Sequence, residues 1–150
     1  MKKAIAFCLL FASFALAQRQ SIAVLDPEDP EPRLTAQQRK DLTGQVRELI
    51  TKKLPDFSLM KQDEVQEILG DTTYSRKCQE NACLGSFIDS LGVNFGARCD
   101  IYTVNEQLRL KFELYGKPKD ENKARTIGEF TENVKNFADI QAVVRKQHTS

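Results

Sequence analysis

Few side chains in this chain could do chemistry. Its single His, His148, stands two residues from the carboxyl terminus, where chains fray. A Ser–His or Cys–His nucleophilic device is therefore not expected, and a His-rich zinc site is excluded by count. There is no Gly-x-Ser-x-Gly elbow, no glycine-rich phosphate loop and no dinucleotide fingerprint. Gly85, Gly92 and Gly96 surround a helical pattern without lying between a strand and a helix amino terminus, so they punctuate structure and do not cradle phosphate. Carboxylates are abundant, but no pair stands in an apolar setting that would separate two pKa values for acid–base work. A secreted hydrolase with an unidentified carboxylate pair is the weakest functional expectation, and no enzyme activity is the stronger one.

Two groups remain. Asp26, Glu28, Asp29 and Glu31 gather four carboxylates within a segment that also holds Pro27, Pro30 and Pro32. Such a set could recruit a hard cation such as Ca²⁺. However, the prolines hold the backbone extended and no Gly permits a sharp ligand turn, so the better expectation is an exposed, solvated spacer. No cofactor is expected. The second group is Cys78 and Cys83, with four residues between them in a tight loop. Thioredoxin-like redox motifs have two intervening residues, which makes a structural disulfide between Cys78 and Cys83 the expected pairing. A Cys83–Cys99 link is the alternative, and Cys99, in an apolar strand pattern, otherwise reads as a small buried hydrophobe.

The disulfide needs an oxidising compartment, and the amino terminus supplies one. Lys2 and Lys3 precede an apolar run from Ala4 to Phe14, and Ala15-Leu16-Ala17 is a small-x-small cleavage site, so residues 1–17 read as a secretory signal peptide. The run is shorter than the ~20 residues a spanning helix requires. Cys8 lies inside the run, not after a small residue at its end where a lipidated Cys belongs. The expected product is one soluble domain, residues 18–150, periplasmic or secreted, with no membrane span.

The full chain has 22 Lys plus Arg and 21 Asp plus Glu in 150 residues. Without Lys2 and Lys3 the balance is 20 against 21, which provides no electrostatic funnel and argues against nucleic acid as a partner.

The elements that must hold these residues follow from periodicity. Ser21 to Asp26 is a short apolar run ended by Pro27, expected as the central strand. Thr35-Ala-Gln-Gln38 is a capping box. Leu42, Val46, Leu49, Ile50 and Leu54 then draw one apolar stripe along a helix that closes at Pro55. Asp56 to Met60 reads as a second strand, parallel to the first. A short helix burying Val65, Ile68 and Leu69 follows and stops at Gly70. Asp71 to Cys78 lacks periodicity and forms a loop. Leu84, Phe87, Ile88 and Leu91 mark a third helix, ended by Gly92.

Beyond Gly96 the period becomes two. Cys99, Ile101 and Thr103 share one strand face, with Arg98, Asp100 and Tyr102 on the other. Asn105-Glu106 forms a tight turn, and Leu108, Leu110, Phe112 and Leu114 alternate with polar residues along the next strand. Gly116 to Asn122 makes a longer loop before a strand from Lys123 to about Phe130. Asn136, with Asp139 at the third position, caps a final helix carrying Phe137, Ile140, Val143 and Val144. The order βαβααβββα specifies an α/β domain with one mixed sheet. A parallel crossover unit joins an antiparallel meander, with helices mainly on one face.

Two stretches resemble the TolB amino-terminal-domain-like superfamily: Ile22 to Asp26 with the helix to Leu54, Phe57 to Met60 and Val65 to Leu69, and Cys83 to Tyr102 with Leu108 to Tyr115. The resemblance covers most of Ile22 to Tyr115. It implies a non-enzymatic accessory domain of the bacterial cell envelope that binds another, unidentified envelope protein, as in relatives that include CsgG-like curli-secretion lipoproteins and lipoprotein activators of peptidoglycan synthases. The chain departs from these by having neither a carboxy-terminal propeller nor a lipidated Cys, and the matched positions are core and turn residues, so no functional residue carries over. A periplasmic protein that binds a small ligand or a cation through the acidic loop is the alternative expectation.

Overall fold

The computed structural model describes residues 20–27, 29, 31–70 and 81–147, without the side chains of Asn81 and Ala82. Residues 1–19, on which the expected signal peptide falls, Glu28, Pro30, residues 71–80 with Cys78, and residues 148–150 with His148 lie outside the described residues.

An apolar run too short for a helix starts the sheet as β1 (Ser21–Val24). Pro27 and the acidic segment carry the chain to α1 (Ala36–Lys53), opened by the expected capping box: Gln38 N–H donates to Thr35 Oγ1 at 3.1 Å and Thr35 N–H to Gln38 Oε1 at 2.9 Å. A two-residue β2 (Ser58–Leu59) lies parallel to β1, followed by α2 (Gln62–Leu69), where Gly70 takes φ 69° to turn the chain out of the helix. Then come α3 (Asn81–Leu91), β3 (Phe95–Val104), β4 (Gln107–Gly116), β5 (Arg125–Asn133) and α4 (Phe137–Gln147). Asn105 and Glu106 both adopt positive φ, 50° and 65°, the backbone twist a two-residue hairpin demands. Asn136 Oδ1 accepts from Asp139 N–H at 3.0 Å and caps α4.

The strands form one five-stranded mixed sheet in the order β2-β1-β3-β4-β5. β1 runs parallel to both β2 and β3, and β3 to β5 are antiparallel. The element order agrees with the sequence reading, with four corrections. β1 is interior, but the middle strand is β3, because the chain returns from α3 to the free side of β1. Helices cover both faces, not mainly one. Ile22, Val24, Ala97, Cys99, Ile101 and Leu110 pack beneath α1 and α4, while Ala23, Leu25 and Tyr115 pack beneath α2 and α3. This double burial explains why β1 is apolar without alternation. Ile68 is 49% exposed, since α2 is short and turns only Val65 fully into the core. β5 also runs three residues beyond Phe130, with a bulge opposite Leu114/Tyr115.

Candidate functional site

Three carboxylates of the acidic segment, Asp26, Asp29 and Glu31, are among the described residues, and each has its own surroundings. Asp29 is 2% exposed. Its carboxylate accepts from the backbone N–H of Arg33 at 2.9 and 3.1 Å and of Leu34 at 2.9 Å, and Arg39 Nη1 stands 4.0 Å away. Glu31 pairs with the Arg33 guanidinium, and Asp26 lines a cleft with residues of α1 and α2. Glu28 is outside the described residues. Asp29 is thus no spacer residue: it closes the turn into α1 by satisfying backbone donors that would otherwise be orphaned. No group of three or more His, Cys, Asp or Glu suited to a metal occurs among the described residues.

The cleft that Asp26 lines, about 390 Å³, opens at the carboxyl ends of β1 and β2. The helix after β1 covers one face of the sheet and the helix after β2 covers the other. The cleft therefore lies between α1 and α2, beyond the ends of β1 and β2. One wall is the amino-terminal half of α1, with Arg39, Lys40, Gly44 and Arg47; the other is the start of α2, with Gln62 and Asp63. Arg47 Nη1 donates to Met60 O at 2.8 Å and to Gln62 Oε1 at 3.2 Å, while Gln62 Nε2 donates to Val24 O at 3.1 Å. These bonds tie the ends of both strands to the cleft walls. Partial burial holds Arg47 below its ordinary pKa, opposed by the charge of Asp63.

A second concavity, about 320 Å³, lies between the carboxyl-terminal end of α1 and the meander. It is lined by Leu49, Ile50, Leu54, Phe112, Leu114 and Phe130, with Lys53 and Gln147 at its rim. Phe112 and Phe130 stack across β4 and β5 with centroids 5.2 Å apart. The groove borders the long edge of the sheet. β5 is the terminal strand, almost wholly exposed, and Ile127, in its bulge, is 57% exposed.

The opposite face of the meander carries charge. Arg98 Nε and Asp100 Oδ1 approach to 2.7 Å, and Lys111 Nζ bridges Glu113 at 2.8 Å and Glu129 at 3.4 Å. Thr126 Oγ1 donates to Glu113 at 3.1 Å. Burial raises the Asp100 carboxyl pKa against the opposing pull of Arg98, and the bond to Glu113 raises that of Lys111. Asp100 and Glu113 lie near each other on this face, and both are engaged by basic side chains. Strand alternation put Arg98 and Asp100 on one face but gave no sign that the face is buried, with Arg98 2% exposed. The relevant signal lay in the pairing of β3 with β4, which sets Arg98 opposite Glu113 and Asp100 opposite Lys111.

Cys99 is a free, buried thiol with its pKa pushed up by burial, as its place in an apolar pattern suggested. Cys83 takes part in a disulfide. Its expected partner, Cys78, lies outside the described residues.

The chain is similar in structure to the C-terminal domain of LpoB from Salmonella enterica, with a TM-score of 0.50 and 12% identity over 78% of this chain and 83% of that domain. At that identity the likeness is one of fold. No protein-family model matches the sequence, and no curated protein matches it. No described helix is long and apolar enough to cross a membrane.

Proposed function

We propose that this chain is an exported, non-enzymatic accessory domain of the bacterial cell envelope, related to the TolB amino-terminal-domain-like superfamily, that docks a partner protein along β5 and the adjoining apolar groove. The observation that carries the reading is the pairing of an exposed terminal strand with an apolar concavity beside it. Unpaired backbone groups on a sheet edge accept an extended segment, and a groove next to the edge takes that segment's apolar side chains. Ile127 is the exposed apolar side chain of this edge strand, and its Cδ1 lies 3.0 Å from where a Cβ on Gly116 of β4 would stand. The fold shared with the C-terminal domain of LpoB supports an accessory reading. The ion pairs that occupy Asp100 and Glu113 favour a structural role for those carboxylates over catalysis.

The test is a photo-crosslinking amino acid at Ile127 in the exported protein, with the adduct identified and then rebuilt from two purified components. The expected result is one defined envelope partner that binds directly and is weakened about tenfold or more by Ile127→Glu, roughly 1.4 kcal/mol. Direct binding unaffected by Ile127→Glu, or no adduct from position 127, would overturn the proposal.

A further inference from the structure

Gly44 is the one glycine of the 18-residue α1. It sits in mid-helix, where glycine costs stability relative to alanine because its backbone has more freedom to lose. Crowding does not require it: a Cβ built on Gly44 would meet nothing within 4 Å. The open space is the cleft between α1 and α2, so the bare backbone of α1 forms part of its wall.

The basic side chains of the cleft lie on α1 and the acidic ones off it, with Asp26 at the end of β1 as a carboxylate beside that of α2. Lys40 and Arg47 stand one turn before and one turn after Gly44 on the same helix face, with Arg39 beside them. Asp63 rises from the start of α2 on the facing wall. The arginines are already oriented, Arg39 Nη1 by Leu34 O at 2.6 Å and Arg47 Nη1 by Met60 O at 2.8 Å, which reduces the ordering a ligand would have to impose. A guanidinium has further donors beyond the one used in each bond.

We propose that this cleft binds a small zwitterion, a free amino acid or a dipeptide, between α1 and α2. The ligand carboxylate meets Lys40 and Arg47, its ammonium meets Asp63, and its main chain lies against α1 at Gly44. The volume of about 390 Å³ is at the small end of ligand pockets and has room for such a molecule. The site is at the opposite end of α1 from the apolar groove, so it stands or falls independently of protein docking on β5.

Titration of the folded chain with L-alanyl-L-alanine, followed by calorimetry and amide chemical shifts, tests the proposal. Acetate and ethylammonium serve as single-charge controls. Saturable binding is expected, with shifts at Gly44 and Gln62, and each control should bind at least about tenfold more weakly. Gly44→Leu should abolish binding while raising the unfolding temperature, because leucine is a better helix former and has room. Lys40→Glu, at an exposed position, should weaken binding about tenfold and provides the same test if Gly44→Leu does not fold. Acetate binding as tightly as the dipeptide, or full binding by Gly44→Leu or Lys40→Glu, would overturn the assignment, as would the absence of saturable binding.

Discussion

Gly96 and Tyr115 face each other across β3 and β4, and the tyrosine ring lies over the glycine. A Cβ at position 96 would stand 2.6 Å from Tyr115 Cζ and 2.7 Å from its hydroxyl oxygen. Gly96 therefore looked like helix punctuation in sequence but serves as the floor beneath a buried ring. Gly96→Ala should cost about 1–3 kcal/mol by overpacking, read as a lower denaturant midpoint. The Tyr115 hydroxyl makes no hydrogen bond among the described residues, and burial raises its pKa. Tyr115→Phe should accordingly keep or raise stability, since it removes a buried polar group that has no partner there. A fall of more than about 1 kcal/mol in Tyr115→Phe would show that the hydroxyl has a partner after all. The buried side of this residue was not legible in the strand's alternation, because alternation marks two faces without saying what covers either of them.

At the level of elements, α1 is the part of the fold best specified locally. Its start rests on the Thr35–Gln38 capping box and its stripe on Leu42, Val46, Leu49 and Ile50, all buried. Thr35→Ala should lower stability by roughly 1 kcal/mol, the usual worth of a side-chain cap, and a denaturant series on the purified chain would measure it. A loss below about 0.3 kcal/mol would mean that the Asp29 bonds to Arg33 and Leu34 hold the helix start without the cap. Elements with fewer turns were less legible. α2 has a single fully buried residue, so its periodicity overstated the core and misplaced Ile68. β5 mixes Thr, Glu and Gly with Ile127 and Phe130, and its last three residues gave no apolar signal because an edge strand buries little.

For the molecule as a whole, export and covalent structure belong together. Cys99 is free and Cys83 is disulfide-bonded, and we expect Cys78 as the partner. Peptide mapping of the exported protein without reductant should recover a Cys78–Cys83 link, and reduction should lower stability by about 2 kcal/mol through the unfolded state. Recovery of Cys78 as a free thiol would refute the pairing. The sequence by itself determined what depends on near neighbours: the order of the elements, the capping box of α1 and the Asn136 cap of α4, the Asn105-Glu106 turn, and a mixed sheet implied by a crossover followed by a meander. Only the tertiary structure decided what depends on distant segments meeting. It set β3 in the middle of the sheet, split the helices between the two faces, drew Asp29 inward, and joined Arg39, Lys40 and Arg47 to Asp63 in one cleft. The physical reason is that period and propensity act within a few residues of chain, whereas burial and charge pairing depend on which surfaces come together in space.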